Sequence, residues 1–187
     1  LLALIIAFPY LICVIGMGYT RQSVSIALIM LSIIMLLKDK YYWHLLLILT
    51  AVLFHKASLV MILLIFLVKT KFFFIQKFFI VPFLILLLIF LISNDFKFLS
   101  YYLSAENTVT SEGAPYRYVL QLIPSIIFLI YRNKLSRSKN EKNIFMFFSI
   151  VSIITLYPII YYSTAADRFL LYFILLQIFV YSRLSVV

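Results

Sequence analysis

Apolar residues in this chain come in long blocks, and the polar positions are gathered into the short stretches between them. The blocks are Leu1–Ile15, Val24–Leu37, Trp43–Val68, Phe72–Ile92, Tyr118–Tyr131, Ile144–Tyr162 and Phe169–Tyr181. A helix needs about 20 apolar residues to cross a bilayer, within a range of roughly 17–25, so several blocks are short and one is long. The pattern predicts an all-α, polytopic transmembrane helix bundle of about six spans, with a broken or re-entrant helical hairpin near His55. No block of polar sequence is large enough for a soluble domain, and there is no internal repeat or low-complexity linker. Residues 1–187 are expected to form a single transmembrane domain. The chain enters an apolar run directly at Leu1, without an initiating Met, a basic flank or a small-residue cleavage site. That suggests a piece of a longer polytopic protein.

Composition supports a lipid environment. The 187 residues are 66% hydrophobic and only 12% charged, with mean hydropathy +1.16, where soluble domains hold about 45–50% apolar and about 25% charged residues. There are too few polar side chains to cover a soluble globule. The net charge of +10 would suggest nucleic acid in a soluble protein. In a membrane protein it points to basic cytoplasmic loops, and no nucleic-acid partner is expected. The strongest such loop is 132–142, with Arg132, Lys134, Arg137, Lys139 and Lys142 against Glu141. Taking it as cytoplasmic makes 94–117 an external loop and places the turn Ser163–Arg168 outside as well.

The block Trp43–Val68 decides the topology. One tilted helix would bury Lys56 at depth, which is expensive in hydrocarbon. A reversal at His55 instead makes two arms, roughly Trp43–Phe54 and Ala57–Val68. Twelve residues of α-helix reach only about 18 Å, so such arms are re-entrant or sit in a thinned region. With the reversal, eleven of the 16 Lys and Arg residues lie inside and five outside, and Arg21, His55, Arg117 and Arg168 fall at the same, outer face.

Those four residues are the candidate site. Guanidinium groups bind phosphate oxygens bidentately and stay charged in a low-dielectric setting; the competing reading is that helix-end arginines merely snorkel to lipid headgroups. His55 lies at a break in a membrane segment, where general base is a natural role and neighbouring arginines would keep it unprotonated. His44, beside Trp43, reads as an interfacial anchor, and Cys13 as a small hydrophobe. No His/Cys/Asp/Glu spacing suits a metal, so neither metal nor cofactor is expected. A Ser58–His55–Asp167 triad can be drawn on paper, but nothing in the sequence fixes its geometry. Tyrosines including Tyr116 and Tyr162 crowd the outer face, either as an interfacial belt or as stacking surfaces for sugars. Tyr172 is a further possible sugar contact.

At this point a resemblance becomes visible. Gly18-Tyr19-Thr20-Arg21-Gln22 entering a span, Phe54-His55-Lys56-Ala57-Ser58-Leu59 downstream, Pro115-Tyr116-Arg117-Tyr118, and the late Asp167-Arg168-Phe169-Leu170-Leu171-Tyr172-Phe173 resemble the EpsG family of Wzy-like polysaccharide polymerases. The order of Ala57 before Ser58 departs from the pattern and weakens any role for a serine hydroxyl there. The resemblance implies a GT-C-like fold in the bacterial cytoplasmic (inner) membrane, with the active site on the outer, periplasmic side. It also implies metal-independent glycosyl transfer between undecaprenyl-diphosphate-linked oligosaccharides, without a cofactor, and chain-length regulator and flippase proteins as partners. His55 and Arg21 would then be catalytic, and Arg21, Arg117 and Arg168 would bind the diphosphate. The rival readings are a lipid-linked oligosaccharide flippase or carrier, and an O-antigen ligase-type transferase.

Overall fold

The computed structural model describes residues 13, 16–68, 113–156 and 163–184. Most of the first apolar block, the block Phe72–Ile92, nearly all of the loop 94–117 and Tyr162 lie outside the described residues.

The described chain is helical throughout, without strands. Helix α1 (Thr20–Leu37) turns at Lys38–Lys40 into α2 (Tyr41–Phe54), and Asp39 adopts a left-handed φ of 58° to make the turn. At His55 the backbone becomes extended (φ −151°, ψ 114°), and the chain resumes as a 3₁₀ helix, η1 (Lys56–Leu67). Helices α3 (Ala114–Leu135) and α4 (Lys139–Ile154) follow. The last segment is α5 (Ser163–Leu170), a single 3₁₀ turn η2 (Leu171–Phe173) and α6 (Leu175–Arg183).

The break at His55 is a reversal. α2 packs along α1, η1 packs back on α2, and η1 also touches α4. The far end of η1 is tied to the start of α4, where Asn143 Nδ2 donates to Leu67 O at 3.0 Å. The arm following His55 is longer than an α-helix of the same residues. At about 2.0 Å rise per residue the 3₁₀ form spans about 24 Å, against about 21 Å for the 14-residue α2, so the two arms nearly match.

The helices are apolar outside and carry their polar groups within. Val24, Leu31, Ile34, Leu46, Leu49, Leu53, Val119, Ile123, Ile126 and Ile130 are exposed, while Ser25, Ser32, His44, Ser58, Gln121, Ser125, Ser149, Ser152 and Gln177 are buried. Water would favour the opposite arrangement; lipid favours this one, because small hydroxyl residues let helix backbones approach closely and bond internally. On α1 the buried positions Gln22, Ser25, Ile26, Ile29, Ser32, Ile33 and Leu36 repeat at helical spacing. Ser32 O on this stripe meets His44 Nδ1 of α2 at 3.2 Å, so His44 is a buried inter-helix contact and not the interfacial anchor expected from its place beside Trp43. Helices α1 and α3 are long and apolar enough to cross a membrane.

Several helices outrun their apolar blocks because their ends are built from polar residues that hydropathy does not register. α4 starts at Lys139 with a cap in which Ser138 Oγ accepts from Glu141 N at 3.1 Å, while Glu141 Oε2 accepts from Arg137 N at 2.7 Å. α3 starts at Ala114 with Pro115 in its first turn, where a missing N–H costs nothing.

Candidate functional site

The start of α1 forms one wall of the site. Tyr19 precedes the helix with non-helical angles (φ −129°, ψ 59°) and no side chain caps the helix start. Its first amides are thus presented without a capping acceptor, an arrangement that favours an anion. An open cavity of about 290 Å³ lies there, lined by Gly18, Tyr19, Thr20, Arg21, Gln22, His55 and Arg168.

His55 enters this cavity from the reversal between α2 and η1. Its backbone carbonyl accepts from Ser58 Oγ at 2.6 Å, which caps the turn. Its ring Nδ1 is hydrogen-bonded to the hydroxyl of Tyr172, with the rings tilted by 48° and 5.8 Å between centroids. Tyr172 is buried on the 3₁₀ turn η2. His55 lies outside the helices, and burial first, then the Arg168 guanidinium, push its pKa below the ordinary imidazole value. Both effects favour the neutral ring.

Arg168 reaches the cavity from α5. Its carbonyl accepts from Gln22 Nε2 at 2.8 Å, which locks α5 to the start of α1. Next to it Asp167 is buried and forms an ion pair with Arg117, Nε to Oδ1 3.0 Å. Burial raises the Asp167 pKa, while Arg117 and then Arg168 pull it down. Arg117 folds back over Gly113; a Cβ there would stand 3.2 Å from Arg117 Nη2, so a larger residue would press the guanidinium aside by a few tenths of an ångström. Tyr118 supports this corner, packing with Ala114, Ala166 and Leu170 and donating to Ile153 O at 3.3 Å.

A buried amide network positions the turn that carries Tyr172. Gln121 Nε2 donates to Phe173 O at 2.8 Å and approaches Ser152 Oγ at 3.3 Å, and Gln177 Nε2 donates to Gln121 Oε1 at 2.8 Å. The 3₁₀ turn frees the Phe173 carbonyl, and Gln121 satisfies it. Sequence reasoning passed over both glutamines, although a polar side chain inside an apolar block is itself a signal.

The structure therefore brings Arg21, His55 and Arg168 to one cavity. It leaves Arg117 beside the cavity in an ion pair with Asp167, and it leaves Tyr116 exposed at the start of α3, away from the lining. Tyr172 meets His55 and is buried. The Ser58–His55–Asp167 triad does not form, because Ser58 bonds the His55 backbone and Asp167 pairs with Arg117. Among the described residues no cluster of three His, Cys, Asp or Glu side chains is placed to hold a metal ion. In comparison with known proteins, the model of the EpsG family matches residues 1–187. Comparison with curated proteins and with solved structures finds no match.

Proposed function

From a chain that belongs to the EpsG family, we propose a membrane glycosyltransferase that joins undecaprenyl-diphosphate-linked oligosaccharide repeat units into a surface polysaccharide. The family is associated with glycosyltransferase-like polysaccharide polymerases, and two helices are long and apolar enough to cross a membrane. The observation that carries the finer reading is the cavity in which a neutral histidine faces two arginines and an uncapped helix start.

A hydroxyl of the acceptor sugar attacks the anomeric carbon of the donor. The new C–O bond forms as the bond from that carbon to the diphosphate oxygen breaks, and the electron pair leaves with the diphosphate. Tyr172 engages Nδ1 of His55, so Nε2 is the nitrogen that takes the hydroxyl proton, with Nδ1–H directed at the phenol oxygen. Arg21, Arg168 and the first amides of α1 bind the diphosphate and stabilise the charge that grows on it as it leaves, the largest contribution such a site makes. Arg117 is paired with Asp167 at 3.0 Å, so it adds no net charge at the cavity and braces the neighbouring corner. This cavity faces the outer side of the cytoplasmic membrane, where lipid-linked units are delivered.

The test is complementation of a polymerase-null strain with His55→Ala and His55→Gln in the complete protein, read as the ladder of polymer lengths. A base contributes about 10²–10⁴-fold, so polymer should fall to single repeat units that accumulate on the outer leaflet. Normal polymer from either variant overturns the base assignment. Repeat units trapped on the inner leaflet would instead identify a carrier.

A further inference from the structure

The end of the bundle opposite His55 holds a second cavity. It measures about 330 Å³ and is lined by Arg132, Asn133, Ser136, Arg137, Ser138, Lys139, Lys142 and Asn143, where α3 ends and α4 begins. We propose that this cavity is a binding site for the phosphate-bearing headgroup of an anionic phospholipid.

Four cationic side chains line it and no acidic one does. Among the described residues no carboxylate forms an ion pair with any of the four. Glu141, the acid in the same segment, has both oxygens bonded to Arg183 and to the backbone amide of Arg137; it offsets part of the Arg137 charge, and the four cations leave the cavity net positive. Lys142 is held in place by a 2.7 Å bond to Asn133 Oδ1, which spans the α3–α4 connection and stiffens the rim. The Ser136 hydroxyl, on the lining, is buried and has no hydrogen-bond partner. A donor left unmet among converging cations suits an anionic oxygen.

The location selects lipid. The helices that frame the cavity present apolar faces, with Ile126 and Ile130 of α3 and Ile150 and Ile154 of α4 exposed. The cavity therefore sits where those faces give way to charge, which is the headgroup level. A basic cavity between membrane helices at that level is how proteins hold anionic headgroups. The inference is independent of the chemistry at His55.

The experiment uses the full chain in detergent and in nanodiscs. Native mass spectrometry and thermal unfolding compare dioleoylphosphatidylglycerol with dioleoylphosphatidylcholine, and inorganic phosphate is tested alone. Phosphatidylglycerol should bind in preference and raise the unfolding temperature, and the preference should weaken about fivefold for each charge removed in Arg132→Gln, Arg137→Gln, Lys139→Gln and Lys142→Gln. The pair Arg137→Gln with Lys139→Gln serves if the fourfold variant does not fold. Lys56→Gln, at the other end and outside both cavities, should leave the effect intact. Equal binding of the two lipids, or a preference unchanged in the variants, overturns the proposal. Protection by inorganic phosphate that equals that of the lipid and is lost in these variants overturns the lipid assignment in favour of a soluble phosphate compound.

Discussion

Glu141→Gln removes one charge from a site where both carboxylate oxygens accept hydrogen bonds. Glu141 Oε1 accepts from Arg183 Nη2 at 2.7 Å, and Oε2 accepts from Arg183 Nη1 at 2.9 Å and from Arg137 N at 2.7 Å. Gln offers one acceptor oxygen in place of two. Whichever way its amide turns, an NH₂ group faces an N–H donor. At least one charge-assisted bond is lost, worth about 1.5–3 kcal/mol. Arg183 is not fully stranded, because Nη1 still reaches Leu135 O at 2.7 Å and the guanidinium lies 4.1 Å from the Phe179 ring centroid. The side chains are 21% and 10% exposed, so the cost falls below the roughly 3–5 kcal/mol of breaking a fully buried pair. The expected loss is about 2–3 kcal/mol. Equilibrium unfolding in detergent measures it, and a cycle with Arg183→Met isolates the coupling. The pair also holds the folded-state pKa of Glu141 down: burial pushes it up, but the bonds from Arg183 and the Arg137 amide outweigh that. A depressed carboxylate contributes stability above its unfolded pKa and loses it as pH falls through the folded value. The gap between wild type and Glu141→Gln should therefore be full at neutral pH and close in acid, below the ordinary glutamate range. A loss under about 0.5 kcal/mol, typical of exposed pairs, or a gap unchanged by pH, would refute the reasoning.

Three further outcomes are expected. Tyr172→Phe keeps the buried ring but unpairs His55 Nδ1; with His55 as base, polymerisation should drop about tenfold or more, less than in His55→Ala, and unfolding should shift by only about 1 kcal/mol. Arg168→Gln removes one of the two causes that lower the His55 pKa; an unprotonated base gives activity that rises with pH, so the acid limb of kcat/KM should move to higher pH, and an unmoved limb counts against His55. Gln121→Leu strands the Phe173 carbonyl and the Gln177 amide; stability should fall by about 1–3 kcal/mol, and polymer length with it.

What the sequence revealed divides along physical lines. The all-helical architecture followed from block hydropathy, and the reversal at His55 followed from the cost of Lys56 in hydrocarbon. Both are local statements about solvation, and a linear reading captures them. Helices α3 and α4 begin several residues before their apolar blocks because Pro115 opens α3 without needing an N–H partner and Ser138 caps α4, and an apolar window is blind to both. An α-helical rise gives the arm after His55 about 18 Å; the 3₁₀ rise of about 2.0 Å per residue over its 12 residues lengthens it to about 24 Å.

The pairings inside the bundle were not legible, because they join positions far apart in sequence. Gln22 and Arg168 are 146 residues apart, and His55 and Tyr172 are 117 apart. Tyr172 was read as a sugar contact because tyrosine near an outer face suggests stacking; what removes it from the surface is η2. Three residues wound as 3₁₀ shift the faces of the last segment, bury Tyr172, and free the Phe173 carbonyl that Gln121 then satisfies. His55 likewise immediately precedes a 3₁₀ helix. The histidine and its partner thus both sit where the regular α-helix gives way, and such departures, which are costly in hydrogen-bond geometry, are stable here only because buried amides and hydroxyls meet the groups they release. Those polar residues are unremarkable one at a time. Together they set the orientation of His55, so the support for the site lies in the glutamines and serines of the interior as much as in the arginines at its mouth.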